Sequence, residues 1–366
     1  MRVALVYDRL NKWGGAERVL LVLHKLFPDA PLYTSVYNKK KASWADVFDI
    51  RTSFLQKIPD ASSSHEILAP LMPLAFESFS FDEYDLVISL TSESAKGIIT
   101  KPHTLHVCYC LTPTRYLWSG YDEYFKNPYL RYLAKPAVSY LRMWDKVAAS
   151  RPDRYIAISQ EVKRRIKKYY DRDSEVIYPP VEFGRSTFSS LGGNPPAPYF
   201  LIVSRLVPYK KIDIAIKVFN KLKLPLKIVG VGSEEKKLKN MSNNNIEFLG
   251  YLTDKELVRY YSDCCALIFP GIEDFGLTIL EAQSLGKPVI AFRGAGALES
   301  IIEGETGEFF YPQTEEALLE KIKEFQYSKY KRSDFAKHVE KFSQDKFENN
   351  FKSHVEKIIR EHENKI

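Results

Sequence analysis

The chain has 366 residues, of which 45% are hydrophobic, and this is enough for roughly two packed cores. The formal net charge of +7 suits an anionic small molecule or a membrane surface, and it is too weak to indicate nucleic acid. No stretch reaches the roughly 18 uninterrupted apolar residues that span a bilayer. The opening residues "MRVALVYDRL" lack a long apolar core and a cleavage site, so we expect no signal peptide.

Cysteine usage gives a further expectation about the compartment. Cys108 and Cys110 alternate in one apolar run, and Cys264 and Cys265 are adjacent in another. Neither spacing matches a zinc knuckle or a disulfide framework. We therefore expect buried, reduced thiols and a cytoplasmic protein.

Short apolar runs alternate with helical patterns along the chain, which is typical of parallel α/β architecture. The first half predicts strands at Val3–Tyr7, Leu86–Leu90, Leu105–Cys110, Arg154–Ala157 and Glu175–Tyr178. An amphipathic helix is expected after the first of these strands. The segment that follows Val181 is rich in Gly, Ser and Pro and predicts a linker.

A second series of the same kind follows the linker. Strands are predicted at residues 199–204, 225–230, 246–250, 265–270 and 288–292. Helices are predicted at residues 211–223, 233–241, 254–262 and 277–285. Residues 314–366 are charge-rich and helical in pattern. The sequence thus predicts two doubly wound domains, with ligands in the cleft between them, at the carboxyl ends of strands.

Residues 270–291, "PGIEDFGLTILEAQSLGKPVIA", combine a strand end, two carboxylates and a helix start. Glu273 is expected on the loop and Glu281 inside the helix. The backbone N–H groups from Phe275 to Leu277 would face an anion such as phosphate, and Gly276 would let that ligand approach closely. Alternatively, Glu273 is a favourable charge at a helix N-terminus. Gly286 is the expected left-handed residue after the helix.

Two other loops carry residues suited to phosphate. Ser204 ends a strand, and Arg205 and Lys210 follow it on one loop, where a guanidinium fork and an ammonium point charge suit a diphosphate. The alternative is that both cations are simply solvated. Gly14 and Gly15 follow the first strand as an approach loop, although the pattern is neither GxGxxG nor a P-loop.

Taken together, these stretches resemble the family 4 retaining glycosyltransferases, which have the GT-B fold. "EDFGLTILE" (Glu273 and Glu281) is similar to the EX7E motif of that family, and "SRLVPYKKID" (Arg205 and Lys210) is similar to its R-x4-K phosphate loop. "GGAERV" resembles its N-terminal glycine loop. Further segments resemble a branch rich in bacterial O-antigen and exopolysaccharide mannosyltransferases: "YCLTPTRYLW", "AISQEVKRRIKKYY", "VIYPPV" and "GAGALESIIEGETGEFF".

The resemblance implies a domain plan. An acceptor domain is expected at residues 1–183, a linker at 184–197, a donor domain at 198–340 and a C-terminal helix at 341–366 that crosses back to the N-domain. Both domains would be Rossmann-like and face one another across a cleft.

The resemblance also implies an activity. The expected reaction moves a hexose, most simply mannose from GDP-mannose, to a hydroxyl of a glycan or polyprenyl-diphosphate-linked acceptor in cell-surface polysaccharide synthesis. No cofactor is expected beyond the nucleotide sugar. The protein is expected in the cytoplasm, bound peripherally to the inner face of the plasma membrane.

Residue roles follow from the same resemblance. Glu281 would accept hydrogen bonds from the donor ribose, and Glu273 would hold hydroxyls of the transferred hexose. Arg205, Lys210 and the backbone from Phe275 to Thr278, with Gly276 and Leu277 between them, would hold the diphosphate and stabilise the departing charge. Ser204 is a further donor-binding candidate. The base would lie near Gly230, Gly232 and Leu249.

One position departs from the family pattern. Many members carry a histidine where this chain has Leu111, and His106 is expected to be packed within the strand before it. Because the departing phosphate can take the acceptor proton, the missing histidine need not abolish transfer. Arg115, Tyr116 and Trp118 are the candidates for the acceptor or hexose side.

Two charged stretches have alternative interpretations. "DRD" at residues 171–173 has the form of a metal-binding DxD motif, but it follows a basic helix, so a turn is expected there and no metal. The cations Lys163, Arg164, Arg165, Lys167 and Lys168 form either a solvated face or a patch for an anionic membrane. In the second case Tyr169 and Tyr170 would be interfacial aromatics, and residues 115–146 would extend the surface.

Two other functions remain compatible with the same fold. A nucleotide-sugar epimerase or hydrolase would need acid–base groups around the hexose, and no acidic pair of that kind stands out in the first half. A non-catalytic binding subunit would explain Leu111, but it would not need the set of Arg205, Lys210, Glu273 and Glu281.

Overall fold

The computed structural model describes residues 1–62, 67–181 and 199–363. The chain divides into two compact units. The N-terminal unit comprises Met1–Pro179 and Phe347–Ile366, and the C-terminal unit comprises Pro180–Lys346. The predicted linker at 184–197 lies outside the described residues.

The N-terminal unit is built on a seven-stranded sheet with the order β3-β2-β1-β4-β5-β6-β7. All neighbouring strands of this sheet pair in parallel. The strands are β1 (Val3–Tyr7), β2 (Leu32–Thr34), β3 (Ile50–Thr52), β4 (Leu86–Thr91), β5 (Leu105–Cys110), β6 (Arg154–Ala157) and β7 (Glu175–Val176). The strand order reverses direction between β1 and β4, which makes their carboxyl ends a topological switch point.

Helices connect these strands. They are α1 (Gly15–Leu26), α2 (Met72–Glu77), α3 (Tyr121–Tyr124), α4 (Pro128–Ala148) and α5 (Gln160–Tyr170). Short 3-10 turns occupy Ser43–Val47, Phe54–Lys57, Ala69–Leu71 and Ala95–Gly97. The side chains of Asn127 and Ser159 accept backbone N–H bonds at the starts of α4 and α5, and these caps explain why the helices begin there.

The C-terminal unit has a six-stranded sheet with the order β10-β9-β8-β11-β12-β13, again parallel throughout. Its strands are β8 (Phe200–Val203), β9 (Leu226–Val229), β10 (Ile246–Gly250), β11 (Ala266–Phe269), β12 (Val289–Phe292) and β13 (Gly307–Phe310). Its helices are α6 (Ile212–Leu222), α7 (Glu235–Asn240), α8 (Asp254–Asp263), α9 (Leu277–Ser284), α10 (Ala297–Ser300), α11 (Glu315–Glu324) and α12 (Arg332–Val339).

Both faces of this second sheet are buried, which is why its strands read as continuous apolar runs rather than as alternating ones. Successive residues of a strand point to opposite faces. Ile202 and Ile268 therefore join one core cluster, while Leu201 and Leu267 join the other. Burial of each such side chain contributes about 1.5–3 kcal/mol to folding, so the central strands are the stable part of the unit.

The last helix, α13 (Gln344–Glu363), belongs mostly to the N-terminal unit. Its Phe347 and Phe351 pack on Tyr109 of β5, with ring centroids 5.9 and 6.1 Å away. The predicted fold, two Rossmann-like units with a C-terminal helix that returns to the first, is confirmed. The helix begins at Gln344, three residues after the predicted boundary at 341.

The structure adds elements that the sequence patterns did not predict. β2, β3 and β13 were missed, as was the helix α4, which continues through Pro136. β7 ends at Val176, two residues before the predicted end. No helix among the described residues is long and apolar enough to cross a bilayer.

Candidate active site

The candidate site of the C-terminal unit lies at the switch point of its sheet. β8 and β11 are neighbours, and the strand order runs in opposite directions from them. Ligands bind at the carboxyl ends of strands flanking such a point. The loop after β8 carries Ser204, Arg205 and Lys210, and the loop after β11 carries Glu273. A small depression is lined by residues of both loops, among them Ser204, Lys210, Gly271 and Glu273.

Lys210 and Glu273 meet in this depression as an ion pair. The Lys210 side chain is only 8% exposed, whereas that of Glu273 is 29% exposed. The Glu273 carboxylate compensates the charge of the buried Lys210 ammonium and holds it in place at the depression. The structure thus brings together two of the predicted site residues from different loops.

Gly271 allows the two loops to come this close. A Cβ at this position would lie 2.8 Å from the Lys210 Cα and 2.9 Å from the Lys210 carbonyl oxygen. Real Cβ atoms do not approach backbone atoms so closely, so any larger residue would push the loops apart. Sequence reasoning did not single out Gly271, since only the contact across the two loops shows why a glycine is needed.

Arg205 lies on the same loop as Lys210 but is exposed. Its guanidinium donates to the hydroxyl of Tyr209 and lies 5.9 Å from the centroid of that ring. It is not among the residues lining the depression. Tyr209 therefore holds the Arg205 guanidinium at the edge of the depression. From there the guanidinium can contact a ligand that extends beyond the depression.

Gly230 and Gly232 pack directly against the backbone of the loop after β8. A Cβ on Gly230 would lie 1.9 Å from the carbonyl oxygen of Ser204, and one on Gly232 would lie 2.3 Å from that of Leu206. Gly230 also has a φ of 132°, which side chains rarely adopt. These two glycines are thus required by backbone packing. Leu249 lies in β10 and packs partly buried against one core cluster.

The start of α9 forms the other wall of the site. Phe275 is buried, Gly276 has a φ of 86°, and Leu277 and Thr278 are the first two helical residues. The first N–H groups of a helix are not used within it and favour a negative group. Gly286, with a φ of 72°, follows the helix in the predicted left-handed conformation.

A neighbouring loop holds the backbone before α9 in place. The Gly296 N–H donates to the Glu273 carbonyl at 2.9 Å, and the Ser300 hydroxyl donates to the Phe275 carbonyl at 2.9 Å. A Cβ on Gly296 would lie 2.3 Å from the Phe275 Cα. In the sequence, Gly296 and Ser300 belong to the segment "GAGALESIIEGETGEFF", and neither residue stands out by itself. Their contacts show that they support the backbone before α9.

Glu281 lies inside α9 and is 4% exposed. The hydroxyl of the fully buried Tyr261 donates to its Oε2 at 2.8 Å. This bond fixes the carboxylate in a setting where a charge requires hydrogen-bonding partners. Glu273 and Glu281 therefore have separate surroundings, as their sequence positions predicted, and Tyr261 is a hydrogen-bonding neighbour of Glu281 that the sequence did not reveal.

In the N-terminal unit, the glycine loop also lies at the switch point of its sheet. Gly14 caps α1 and Gly15 is its first residue, after β1. Within the same helix Glu17 is buried and accepts from the Tyr7 hydroxyl. At the end of β1 the Asp8 carboxylate receives backbone N–H bonds from the four successive residues 92–95, which follow β4. These contacts fix the two loops that flank the switch point.

The loop with the acceptor-side candidates is anchored by a buried charge. The Trp118 indole N–H donates to Asp145 at 2.7 Å, and Lys96 pairs with the same carboxylate at 2.6 Å. Burial is the largest single influence and lowers the pKa of Lys96, but the charge of Asp145, the hydrogen bond to it, and the nearby Cys110 and Asp8 together raise the pKa. Arg115 and Tyr116 lie half-buried on this loop.

His106 lies within β5 and is fully buried, as predicted, with its Nε2 2.8 Å from the Ser89 hydroxyl. Burial, together with Arg151 and Arg172, lowers its pKa to about 3. A histidine held neutral in this way is a packed strand residue. Leu111 directly follows β5.

The two aromatic residues of the basic helix α5, Tyr169 and Tyr170, are half-buried. Tyr169 stacks on Trp118 at 5.3 Å between ring centroids, and the Tyr170 hydroxyl accepts from the Thr114 N–H. Arg164 and Arg165 both pair with Glu161. Both rings pack onto the loop at residues 112–118, and their role as interfacial aromatics stays a prediction.

The "DRD" segment ends α5. Asp171 has a left-handed φ of 52°, and its N–H donates to the Lys167 carbonyl. Lys167 also pairs with the exposed carboxylates of Asp171 and Asp173 at 3.0 and 3.3 Å. The segment is a helix-ending turn, as expected.

Comparison of folds places this architecture among the GT-B proteins. The structure of Anabaena HepE in complex with UDP and glucose has a TM-score of 0.71, at 20% identity over 98% of this chain and 100% of that one. The lipopolysaccharide outer core galactosyltransferase WaaB has a TM-score of 0.67, at 19% identity over 97% and 99% of the two chains. At this identity the likeness shows the fold, and the fold is GT-B.

The sequence comparison then identifies a domain. Residues 186–342, which lie within the C-terminal unit, match the model of the family Glycosyl transferases group 1. An uncharacterized glycosyltransferase of Methanocaldococcus jannaschii is 29% identical over 192 residues, which are 50% of this chain and 52% of that protein. The O-antigen chain mannosyltransferase C of Escherichia coli is 27% identical over 206 residues, with the same coverage. The chain thus spans about half the length of these curated relatives.

Proposed function

We propose that this chain is a retaining glycosyltransferase of the family 4 type, which moves a hexose from a nucleotide-diphosphate sugar to a hydroxyl of a glycan or lipid-linked acceptor. The observation that carries the proposal is the Lys210–Glu273 pair beside the start of α9, at the switch point of a glycosyl transferases group 1 domain. Cations and helix N–H groups suit the diphosphate, and carboxylates suit the hydroxyls of sugar and ribose.

Different residues of the site bind different parts of the donor. Lys210, Arg205 and the backbone from Phe275 to Thr278 hold the diphosphate and stabilise the charge that develops on it as it leaves. Glu273 holds hydroxyls of the hexose. Glu281, oriented by Tyr261, accepts hydrogen bonds from the ribose. No metal ion or other cofactor takes part, because these groups already neutralise the leaving group.

The transfer itself breaks the bond between the anomeric carbon and the phosphate oxygen. The bond to the acceptor oxygen forms on the same face of the sugar, which retains the anomeric configuration. The acceptor proton passes to the departing phosphate oxygen, so the atoms balance without a histidine at position 111. This order of events fits a site whose charges are concentrated around the phosphates.

The proposed donor is GDP-mannose. Support comes from relatives named as mannosyltransferases: the Escherichia coli protein above, and a GDP-mannose-dependent phosphatidylinositol monomannoside mannosyltransferase of Mycolicibacterium smegmatis, 29% identical over 128 residues. The structural relative HepE, in contrast, is described with UDP and glucose. A direct comparison of GDP- and UDP-sugars is therefore the informative test.

Isothermal titration calorimetry of the full chain makes this comparison. The ligands are GDP-mannose, UDP-glucose, UDP-galactose, GDP and UDP. We expect GDP-mannose to bind at least roughly tenfold more tightly than the UDP-sugars. Lys210→Ala should weaken every nucleotide, whereas Lys221→Ala, which removes an exposed lysine of the same unit that pairs with Glu315, should weaken none. Tighter binding of a UDP-sugar would contradict GDP-mannose as the donor. If no nucleotide and no nucleotide sugar bound, the assignment of the binding site would be wrong.

A further inference from the structure

A buried histidine of the C-terminal unit lies behind the start of α9. His338 belongs to α12, where it and Phe335 form the buried face of the helix. Only 4% of His338 is exposed. Its Nε2 lies 3.0 Å from the carbonyl oxygen of Ser300. Because a carbonyl oxygen only accepts, Nε2 carries the hydrogen of this bond.

Ser300 connects this histidine to the backbone before α9. The Ser300 hydroxyl donates to the Phe275 carbonyl at 2.9 Å. On the same loop, the Gly296 N–H donates to the Glu273 carbonyl at 2.9 Å. A displacement of Ser300 and its loop would therefore move the main chain at both Glu273 and Phe275.

A second contact links the histidine to Phe275 through an aromatic ring. The His338 imidazole packs edge-on against Phe342, with 5.3 Å between ring centroids and 69° between ring planes. Phe342 in turn packs against Phe275, with 5.7 Å between ring centroids. His338 thus contacts two groups, the Ser300 carbonyl and the Phe342 ring, and both Ser300 and Phe342 contact Phe275.

A polar ring is not required to fill this space. Burial lowers the pKa of His338 below its ordinary value, so the ring is neutral at pH 7. Its Nδ1 is buried and has no hydrogen-bond partner within the described part of the chain. An apolar side chain of similar volume would avoid the cost of this unpaired nitrogen. The bond from Nε2 is therefore what distinguishes histidine from leucine at this position.

We infer that His338 is a positioning residue for the donor diphosphate, and that it acts through Ser300 to hold the backbone at Phe275 and the start of α9. The inference rests on the proposed function, which assigns this backbone to the diphosphate. Since His338 is buried, it does not itself contact the nucleotide. The first N–H groups of a helix bind an anion when they point at it together, so a displaced Phe275 should cost nucleotide affinity.

Titration calorimetry of the full chain with GDP and UDP tests this role, since both nucleotides carry the same diphosphate. His338→Leu removes the N–H group and keeps an apolar side chain in the space, and we expect both affinities to fall roughly tenfold. His338→Gln places an amide N–H near the position of Nε2 and should restore both affinities to within about threefold of wild type.

A control variant separates positioning from a general loss of stability. Asn220→Ala, near the end of α6, removes the side-chain bonds to the Met241 carbonyl and the Asn243 N–H. It should lower the thermal transition, as His338→Leu does, but leave both nucleotide affinities unchanged.

A second variant does not depend on how well His338→Leu folds. Ser300→Ala removes the hydroxyl bond to the Phe275 carbonyl but keeps the carbonyl that His338 binds. It should weaken GDP and UDP by a factor similar to that of His338→Leu. The double variant should lose little more than either single variant, because both changes interrupt the same chain of contacts.

The outcomes separate this inference from the proposed function. Wild-type nucleotide affinity in His338→Leu or in Ser300→Ala would overturn the positioning role and leave the donor site intact. A loss of affinity in Asn220→Ala as large as in His338→Leu would also overturn it, because affinity would then follow stability alone. If wild-type protein bound neither GDP nor UDP, the proposed donor site would be wrong, and the positioning role with it.

Discussion

At the scale of single residues, the two carboxylates of residues 270–291 are held by different partners. Glu273 pairs with Lys210 at the edge of the site, while Glu281 is buried and receives the Tyr261 hydroxyl. A paired acid–base role would need them side by side in similar surroundings. Their separate positions suit contacts with different parts of one donor molecule.

The Tyr261 bond gives a first prediction. Tyr261→Phe removes one hydrogen bond to Glu281 without leaving a cavity, so the free energy of unfolding should fall by about 1–2 kcal/mol. Nucleotide affinity should also fall severalfold, because the carboxylate loses the group that orients it. Calorimetric unfolding and titration measure both quantities. Tyr199→Phe is the matched control: it removes a hydroxyl bond to the Tyr260 carbonyl and should lower stability alone. Unchanged affinity in Tyr261→Phe would contradict the role of Glu281.

His106 gives a prediction on pH. Its pKa is lowered to about 3 by burial and by two arginines, so the folded state resists a proton that the unfolded chain accepts near pH 6.5. Acid therefore favours unfolding, and this group should cost up to about 1.4 kcal/mol per pH unit between pH 6 and 3. His106→Gln should flatten the pH dependence of stability by that amount. His103→Gln, an exposed histidine three residues earlier, should not.

The fluorescence of tryptophan can follow this unfolding in one unit. The chain's four tryptophans, Trp13, Trp44, Trp118 and Trp144, all belong to the N-terminal unit, as does His106. Urea titrations at pH 7.0, 6.0 and 5.0, read by tryptophan emission, thus report the free energy that His106 affects. Equal slopes for wild type and His106→Gln would show that the histidine becomes protonated in the folded state.

At the scale of elements, α4 is joined to the loop at residues 112–118 by a buried ion pair. Removing one partner of such a pair leaves an uncompensated charge, so Asp145→Asn should lower the stability of the N-terminal unit by about 3–5 kcal/mol. The Trp118 emission should change as well, because Asp145→Asn leaves one oxygen for the two donors, the indole N–H and the Lys96 ammonium. Asp122→Asn breaks an ion pair with Arg131 at the exposed end of α4 and should cost less than about 1 kcal/mol. Similar losses in both variants would contradict the importance of burial here.

The two loops of the candidate site give the next prediction. Gly271→Ala places a methyl group 2.8 Å from the Lys210 Cα, so the loop after β8 must move away from Glu273. Turnover should fall by roughly 100-fold, as a displacement of about 1 Å can cause, while the transition temperature changes little. Gly294→Ala is the control, since its methyl group would meet only movable side chains, with Phe292 nearest. Kinetics of both variants decide the matter, and equal activities would separate Gly271 from catalysis.

At the scale of the whole molecule, the pattern of strands and helices was predictable because it repeats in long apolar runs. The short strands β2 and β3, of three residues each, and β13, of four, were not. Runs of three residues carry no measurable period, and β13 contains Gly307 and Glu308 in place of a continuous apolar run. α4 was missed as a helix because Pro136 and its two apolar faces disguise the usual alternation.

The motif residues of the candidate site could be predicted from the sequence, but the residues that hold them in place could not. Arg205, Lys210, Glu273 and Glu281 stand out by spacing along the chain. Tyr261, Gly271, Gly296 and Ser300 act through contacts with residues 20 or more positions away or across loops, and no local pattern shows such contacts.

The most direct test of the central claim is the transfer reaction itself. Wild-type protein and Glu273→Gln are compared for release of GDP from GDP-mannose in the presence of a lipid-linked glycan acceptor, with GDP-mannose affinity measured in parallel. We expect acceptor-dependent release by wild type, and turnover lower by at least about 100-fold in Glu273→Gln with affinity within about threefold. Wild-type turnover in Glu273→Gln, or equal losses of turnover and affinity, would contradict the role given to the Lys210–Glu273 pair.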